Sequence, residues 1–161
     1  MICNIPTYIY TMETTKQSVN VLNDLIEINN DRIAGFEKAL ADINDENADL
    51  KLLFQEYATQ SRKNSQELTA LAATYTTDIE TGTSVTGGLH RAWIDVKSIF
   101  GGSDRESILN EAERGEDAIK AAYKTALTEG KLPSDAVETV TKQADEIKSA
   151  HDKIKALRDL A

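Results

Sequence analysis

The chain has 161 residues, of which 40% are hydrophobic, with only 8 Gly and 2 Pro. That is the length of one domain with a continuous core, and the composition excludes fibrous and disordered classes. Its 27 acidic and 18 basic residues leave a formal net charge of −9, which repels phosphate backbones, so nucleic acid is not an expected partner.

The chain opens with MICNIPTYIYT, which is apolar in places but lacks the basic n-region of a secretory signal. Cys3 is the sole cysteine, excluding an internal disulfide and a Cys-rich metal site. Met12 begins METTKQS, a natural start just ahead of the first helix. Residues 1–13 are therefore expected to be an N-terminal extension, and residues 14–161 a single domain. No apolar run approaches the roughly 18 residues of a membrane span, so no membrane partner is expected and the default location is cytoplasmic.

Thr14 and Gln17 form a capping box that predicts a first helix from Thr14 to about Ile43. Leu22, Leu25, Ile26, Ile33, Phe36, Leu40 and Ile43 make one apolar stripe along it. The polar run Asn44–Asn47 is a short turn, so the second helix, to about Tyr75, returns antiparallel. Its stripe runs through Leu50, Leu53, Phe54, Tyr57, Ser61, Leu68, Leu71 and Tyr75.

A connection of roughly 27 residues follows, against the 2–8 usual between bundle helices. Within it Leu89, Trp93, Val96 and Phe100 recur at helical spacing, predicting a short amphipathic helix from about Gly88 to Phe100. Trp93 either caps the bundle or makes a dimer or partner contact, since Trp is favoured in interface hot spots. These four residues are the interface candidates.

Gly101-Gly102 and the box Ser103/Glu106 predict a third helix from Ser103 to about Glu129. Its stripe of Ile108, Ala112, Gly115, Ile119, Ala122 and Ala126 is rich in small residues that admit a close neighbour. Gly130 is the expected C-cap, and Pro133 fits the first turn of a fourth helix carrying Val137, Val140, Ala144, Ile147, His151, Ile154 and Leu157. The predicted fold is all-α: an up-down-down-up, ferritin-like four-helix bundle with one long crossover carrying a short helix.

Polar residues on the core stripes are the exceptions that carry information. Counting at 1.5 Å per residue places Asn29, Arg32, Tyr57, Ser61, Arg62, Glu116 and His151 in one central layer, within a turn or two. Such a layer has two explanations. Its members satisfy one another and fix helix register at some cost in stability. Alternatively they bind a metal or small ligand, for which Glu111, Glu116 and His151 are the candidates.

A di-iron bundle needs a Glu from each of two helices and Glu-x-x-His from each of the others. This chain has two His. His90 has no Glu three residues before it, and His151 has Lys148 there. Arg32 in the layer further disfavours a dication. No di-iron cofactor is therefore expected. Phosphate-loop and nucleophile-base patterns are missing too, so no catalytic residue is assigned and the balance is against an enzyme.

The segments VLNDLIEINNDRIAGFEKAL, NADLKLLFQEYATQSR, HRAWIDVKSIF, ILNEAERGEDAIKAAY and SAHDKIKALRD resemble an uncharacterised bacterial family of ferritin-like four-helix bundles, domain of unknown function 2383. The resemblance spans about Thr14 to Leu160 and implies the bundle fold without implying an activity. Asn29, Asn30, Arg32, Tyr57, Ser61, Arg62, Glu116, Asp117 and His151 fall inside the similar segments. The expected function is a structural, stress-related or interaction module, forming a homo-oligomer or meeting a protein partner. The alternative is a degenerate metal- or ligand-binding bundle.

Overall fold

A computed structural model describes residues 7–76 and 104–161, with side chains from Met12 onward. The predicted crossover helix and its interface candidates Leu89, Trp93, Val96 and Phe100 lie outside the described residues. Four long helices make up the described fold: α1 (Thr7–Asp42), α2 (Ala48–Ala73), α3 (Arg105–Thr128) and α4 (Val137–Asp159). A 3-10 turn, Asp45–Asn47, joins α1 to α2.

α1 packs most extensively on α2 and α3 on α4, while α1 also touches α3 and α2 touches α4. Every adjacent pair is antiparallel, as the side-chain pairings show. Ser18, Asn29 and Arg32 meet Lys131, Tyr123 and Glu116 in descending order. Tyr75 meets Asp135 where α2 ends and α4 approaches, and Gln143 meets Glu67 further along. α1 and α4 thus run parallel, as do α2 and α3. This is the up-down-down-up path predicted from the sequence.

The helix ends differ from the sequence prediction in instructive ways. α1 begins at Thr7, seven residues ahead of the expected cap at Thr14. Nothing between Thr7 and Thr14 breaks a helix, and adding a turn to an existing helix is far easier than starting one, so the capping box is overrun. Residues 12–17 are nonetheless all exposed, and burial starts at Ser18. α3 starts at Arg105, two residues later than predicted, with Asp104 in extended conformation before it. α4 starts at Val137 and not at Pro133: Pro133 to Ala136 form a turn closed by the Ala136 amide on the Pro133 carbonyl at 2.9 Å. Gly130 is left-handed, φ +68°, as a helix-terminating glycine should be.

The core is divided. One apolar cluster gathers Phe36, Ile43, Leu50, Phe54, Tyr57, Leu109 and Ile154 among others. A second gathers Leu22, Leu25, Leu68, Ile119, Tyr123, Val140 and Ile147. Between them α1 contributes buried Asn29, Asp31 and Arg32, α2 buried Ser61 and Asn64, and α3 buried Glu116. A polar plate therefore crosses the bundle at mid-height.

Candidate functional site

Arg32 is the centre of that plate. Its side chain is wholly buried, as is that of Glu116 opposite on α3. Nε donates to Glu116 Oε1 at 2.5 Å and Nη2 to Oε2 at 2.8 Å, a fork-to-fork pairing of the strong, charge-assisted kind. Nη1 turns to α2, donating to Gln60 Oε1 at 2.7 Å, Ser61 Oγ at 3.0 Å and the Tyr57 carbonyl at 3.4 Å. The guanidinium carbon lies 5.4 Å from the Phe36 ring centre and 5.3 Å from that of Tyr57, so two aromatic faces close it from one side. Burial, with Glu116 nearby, pushes the Tyr57 phenol well above its ordinary range.

One turn towards the other end, a second set of bonds crosses all four helices. Asn29 Nδ2 donates to Tyr123 Oη at 2.7 Å, and Tyr123 Oη donates to Gln143 Oε1 at 2.8 Å. Gln143 Nε2 donates in turn to Glu67 Oε2 at 2.8 Å. Complete burial raises the Tyr123 phenol, which keeps it a proton donor. Asn29 Oδ1 and both amide atoms of Asn64 are buried without a hydrogen-bond partner.

The predicted layer is thus partly assembled. The structure brings Asn29, Arg32, Ser61 and Glu116 into the plate, with Tyr57 supplying its carbonyl and ring. Arg62 is not there: it is exposed and pairs with Glu37 on the surface. One residue after Ser61 is a 100° turn of the helix, which carries Arg62 off the inward face. His151 is buried but belongs to a separate cluster on the α3–α4 flank. α4 instead reaches the plate through Gln143, two turns earlier. The signal for Gln143 and Tyr123 was present: Gln143 is three after Val140 and four before Ile147, and Tyr123 is four after Ile119.

The candidate metal trio Glu111, Glu116 and His151 is not assembled either. Glu116 is consumed by Arg32, and Glu111 lies 3.4 Å from Arg114. His151 Nε2 instead faces Asp117 Oδ1 at 2.8 Å and Glu113 Oε1 at 3.9 Å. Its Nδ1 lies 3.0 Å from Asp152 Oδ1. Arg158 holds the second oxygen of Glu113. Asp152 is pulled down to about 2 by Lys148 first and His151 second. Glu113, Asp117 and His151 are the one group among the described residues with three ligand atoms within 4.8 Å of one another.

Two features of the described residues bear on the di-iron ligand set sought in the sequence. A cation, Arg32, stands at the centre of the polar plate, and the carboxylate that faces it is fully paired. Lys148, where a Glu would stand ahead of His151, is exposed and bonded to Asp152.

No described helix is long and apolar enough to cross a membrane. A search of curated proteins finds no match to the chain. A family model described as domain of unknown function (DUF2383) matches residues 17–129, from within α1 through the end of α3, leaving α4 and His151 outside. That stretch contains the whole Arg32–Glu116–Ser61 assembly, and it spans well over half of the chain. The protein belongs to the DUF2383 family.

Proposed function

We propose that this chain is a non-enzymatic, ferritin-like bundle of the cytoplasm, a structural or protein-interaction module without a di-iron centre. The observation that carries this reading is the buried Arg32–Glu116 pair, satisfied by Ser61 and Gln60 at the middle of the bundle. A ferritin-like oxidase needs carboxylates free to bridge two metals there. Here Glu116 neutralises an arginine, which favours an interior that holds the helices together and a function on the outer surface. The contact we favour is self-association through the apolar positions Leu89, Trp93, Val96 and Phe100, which share one helical spacing in the sequence and include its sole Trp.

Sedimentation velocity over a wide concentration range tests this on the full chain and on Trp93→Ala. Association in the wild type that weakens in the variant supports the proposal. A strict monomer at every concentration counts against it. Oxygen uptake on adding Fe²⁺ is expected to stay at the level of buffer alone, and catalytic uptake would restore the oxidase alternative.

A further inference from the structure

The flank of the bundle carries chemistry that the scaffold role does not use. Glu113 and Asp117 are four apart on α3, one turn of helix, and so project side by side. α4 sets His151 against both. The imidazole is nearly buried, with a side-chain exposure of 7%, while Asp117 at 60% stands at the rim. The imidazole nitrogen is thus set inward and the Asp117 carboxylate outward.

We propose that Glu113, Asp117 and His151 form a binding site for a divalent transition metal of the Zn²⁺ class. Four ligands about a zinc ion at ordinary bond lengths sit roughly 3.4 Å apart. Nε2 lies 2.8 Å from Asp117 Oδ1 and 3.9 Å from Glu113 Oε1, on either side of that spacing, so small side-chain adjustments admit the ion. One imidazole with two carboxylates suits zinc and its neighbours, whereas Mg²⁺ and Ca²⁺ favour oxygen throughout. Three protein ligands leave a fourth position open to solvent at the Asp117 side.

Two supporting contacts go beyond what an ordinary surface ion pair needs. Asp152 accepts from Nδ1 at 3.0 Å, which turns the Nε2 side of the ring towards the two carboxylates. A carboxylate behind a ligating histidine is the usual outer partner of a metal-bound imidazole. Arg158 engages the far oxygen of Glu113 and holds its near oxygen on the His151 side. The ligands also stand on two packed helices, which hold geometry better than loops. Binding would require Nε2 free of a proton and facing the two carboxylates, with the ring proton on Nδ1 directed at Asp152.

Calorimetric titration of Zn²⁺ into chelator-treated full chain tests the site. One ion per chain is expected. Asp117→Asn, at an exposed position, should weaken binding by at least about tenfold, and His151→Ala should abolish it. His90→Ala and Glu111→Gln should leave it unchanged. As a second readout, Zn²⁺ should raise the melting temperature of the wild type and not that of Asp117→Asn. Histidine nitrogen chemical shifts should report metal on Nε2 of His151. No zinc binding by the wild type overturns the proposal, as does binding unaltered in both Asp117→Asn and His151→Ala, or binding lost in His90→Ala. Because none of these measurements depends on association, the site and the scaffold role stand or fall separately.

Discussion

Arg32 and Glu116 face each other from α1 and α3 with both guanidinium-carboxylate bonds made and neither side chain open to water. Removing one partner strands the other in the core. Glu116→Leu should destabilise the bundle by about 3–5 kcal/mol, read from urea unfolding. The double substitution Arg32→Met/Glu116→Leu should recover most of that loss, because replacing a whole buried pair with apolar groups is often neutral or favourable. A double variant as unstable as the single one would show that the bonds of Arg32 to Gln60 and Ser61 matter more than the pair itself.

Asn64 presents the opposite case. Its side chain is fully buried, yet neither the amide nitrogen nor the oxygen has a hydrogen-bond partner. An unsatisfied buried polar group costs about 1–3 kcal/mol. Asn64→Leu, which keeps the number and branching of side-chain heavy atoms, should therefore raise the melting temperature, by about 2–4 °C per kcal/mol regained in a domain of this size. A lowered melting temperature would mean that Asn64 is satisfied in solution, with ordered water as the natural partner.

The contrast shows what the sequence could and could not convey. Helical periodicity located all four helices and most of their inward faces, because apolar spacing is a local property that burial enforces along the helix; Tyr75 and Val137, at the ends of their stripes, are exposed, since packing thins out where the helices end. Arg32, Ser61 and Glu116 were legible as polar interruptions of those stripes for the same reason. Arg62 was misplaced because axial counting locates a height along the helix and not a direction around it. Glu113 and Asp117 sit off the stripe, on a flank that has meaning only once α4 lays His151 against it. That pairing depends on how far α4 is rotated about its own axis, which no local pattern records. The start of α1 was missed for another reason: a cap is a preference worth about 1 kcal/mol, easily overrun by continuing helix.

Arg105 links the beginnings of the two parallel helices α2 and α3. Nη1 and Nη2 donate to the two oxygens of Asp49 at 2.9 and 2.6 Å, and Nη1 also reaches Asn47 Oδ1 at 3.1 Å. These bonds hold the Asp49 carboxyl below its ordinary value of 3.8. The native state therefore favours the ionised form. The resulting stability is fully present above pH 3.8 and disappears as the pH falls through the lower native value. Asp49→Asn should accordingly lower stability at pH 7 by less than about 1 kcal/mol, since the pair is exposed. The gap between variant and wild type should close as the solution is acidified through the lowered native value. A gap independent of pH would assign the effect to packing.

Gly130 terminates α3 with φ +68°, and a methyl group added there would meet nothing within 4 Å. Space is therefore not the constraint; backbone conformation is. Gly130→Ala should cost about 1 kcal/mol through left-handed strain alone, and Gly130→Asn distinctly less. Equal stability of all three proteins in urea would show that the turn relaxes to another conformation.

The polar plate has a further consequence for how the molecule yields to damage. Leu109 and Ile154 belong to one apolar cluster, Ile119 and Val140 to the other, and Arg32 with its partners stands between. Each end of the bundle thus owns a separate store of hydrophobic contact, and the chain behaves as two chambers sharing a bulkhead. A wound such as Leu109→Ala should speed amide exchange mainly at its own end, while Ile119→Ala speeds it at the other. A helical rod with one seamless core would transmit either wound along its whole length.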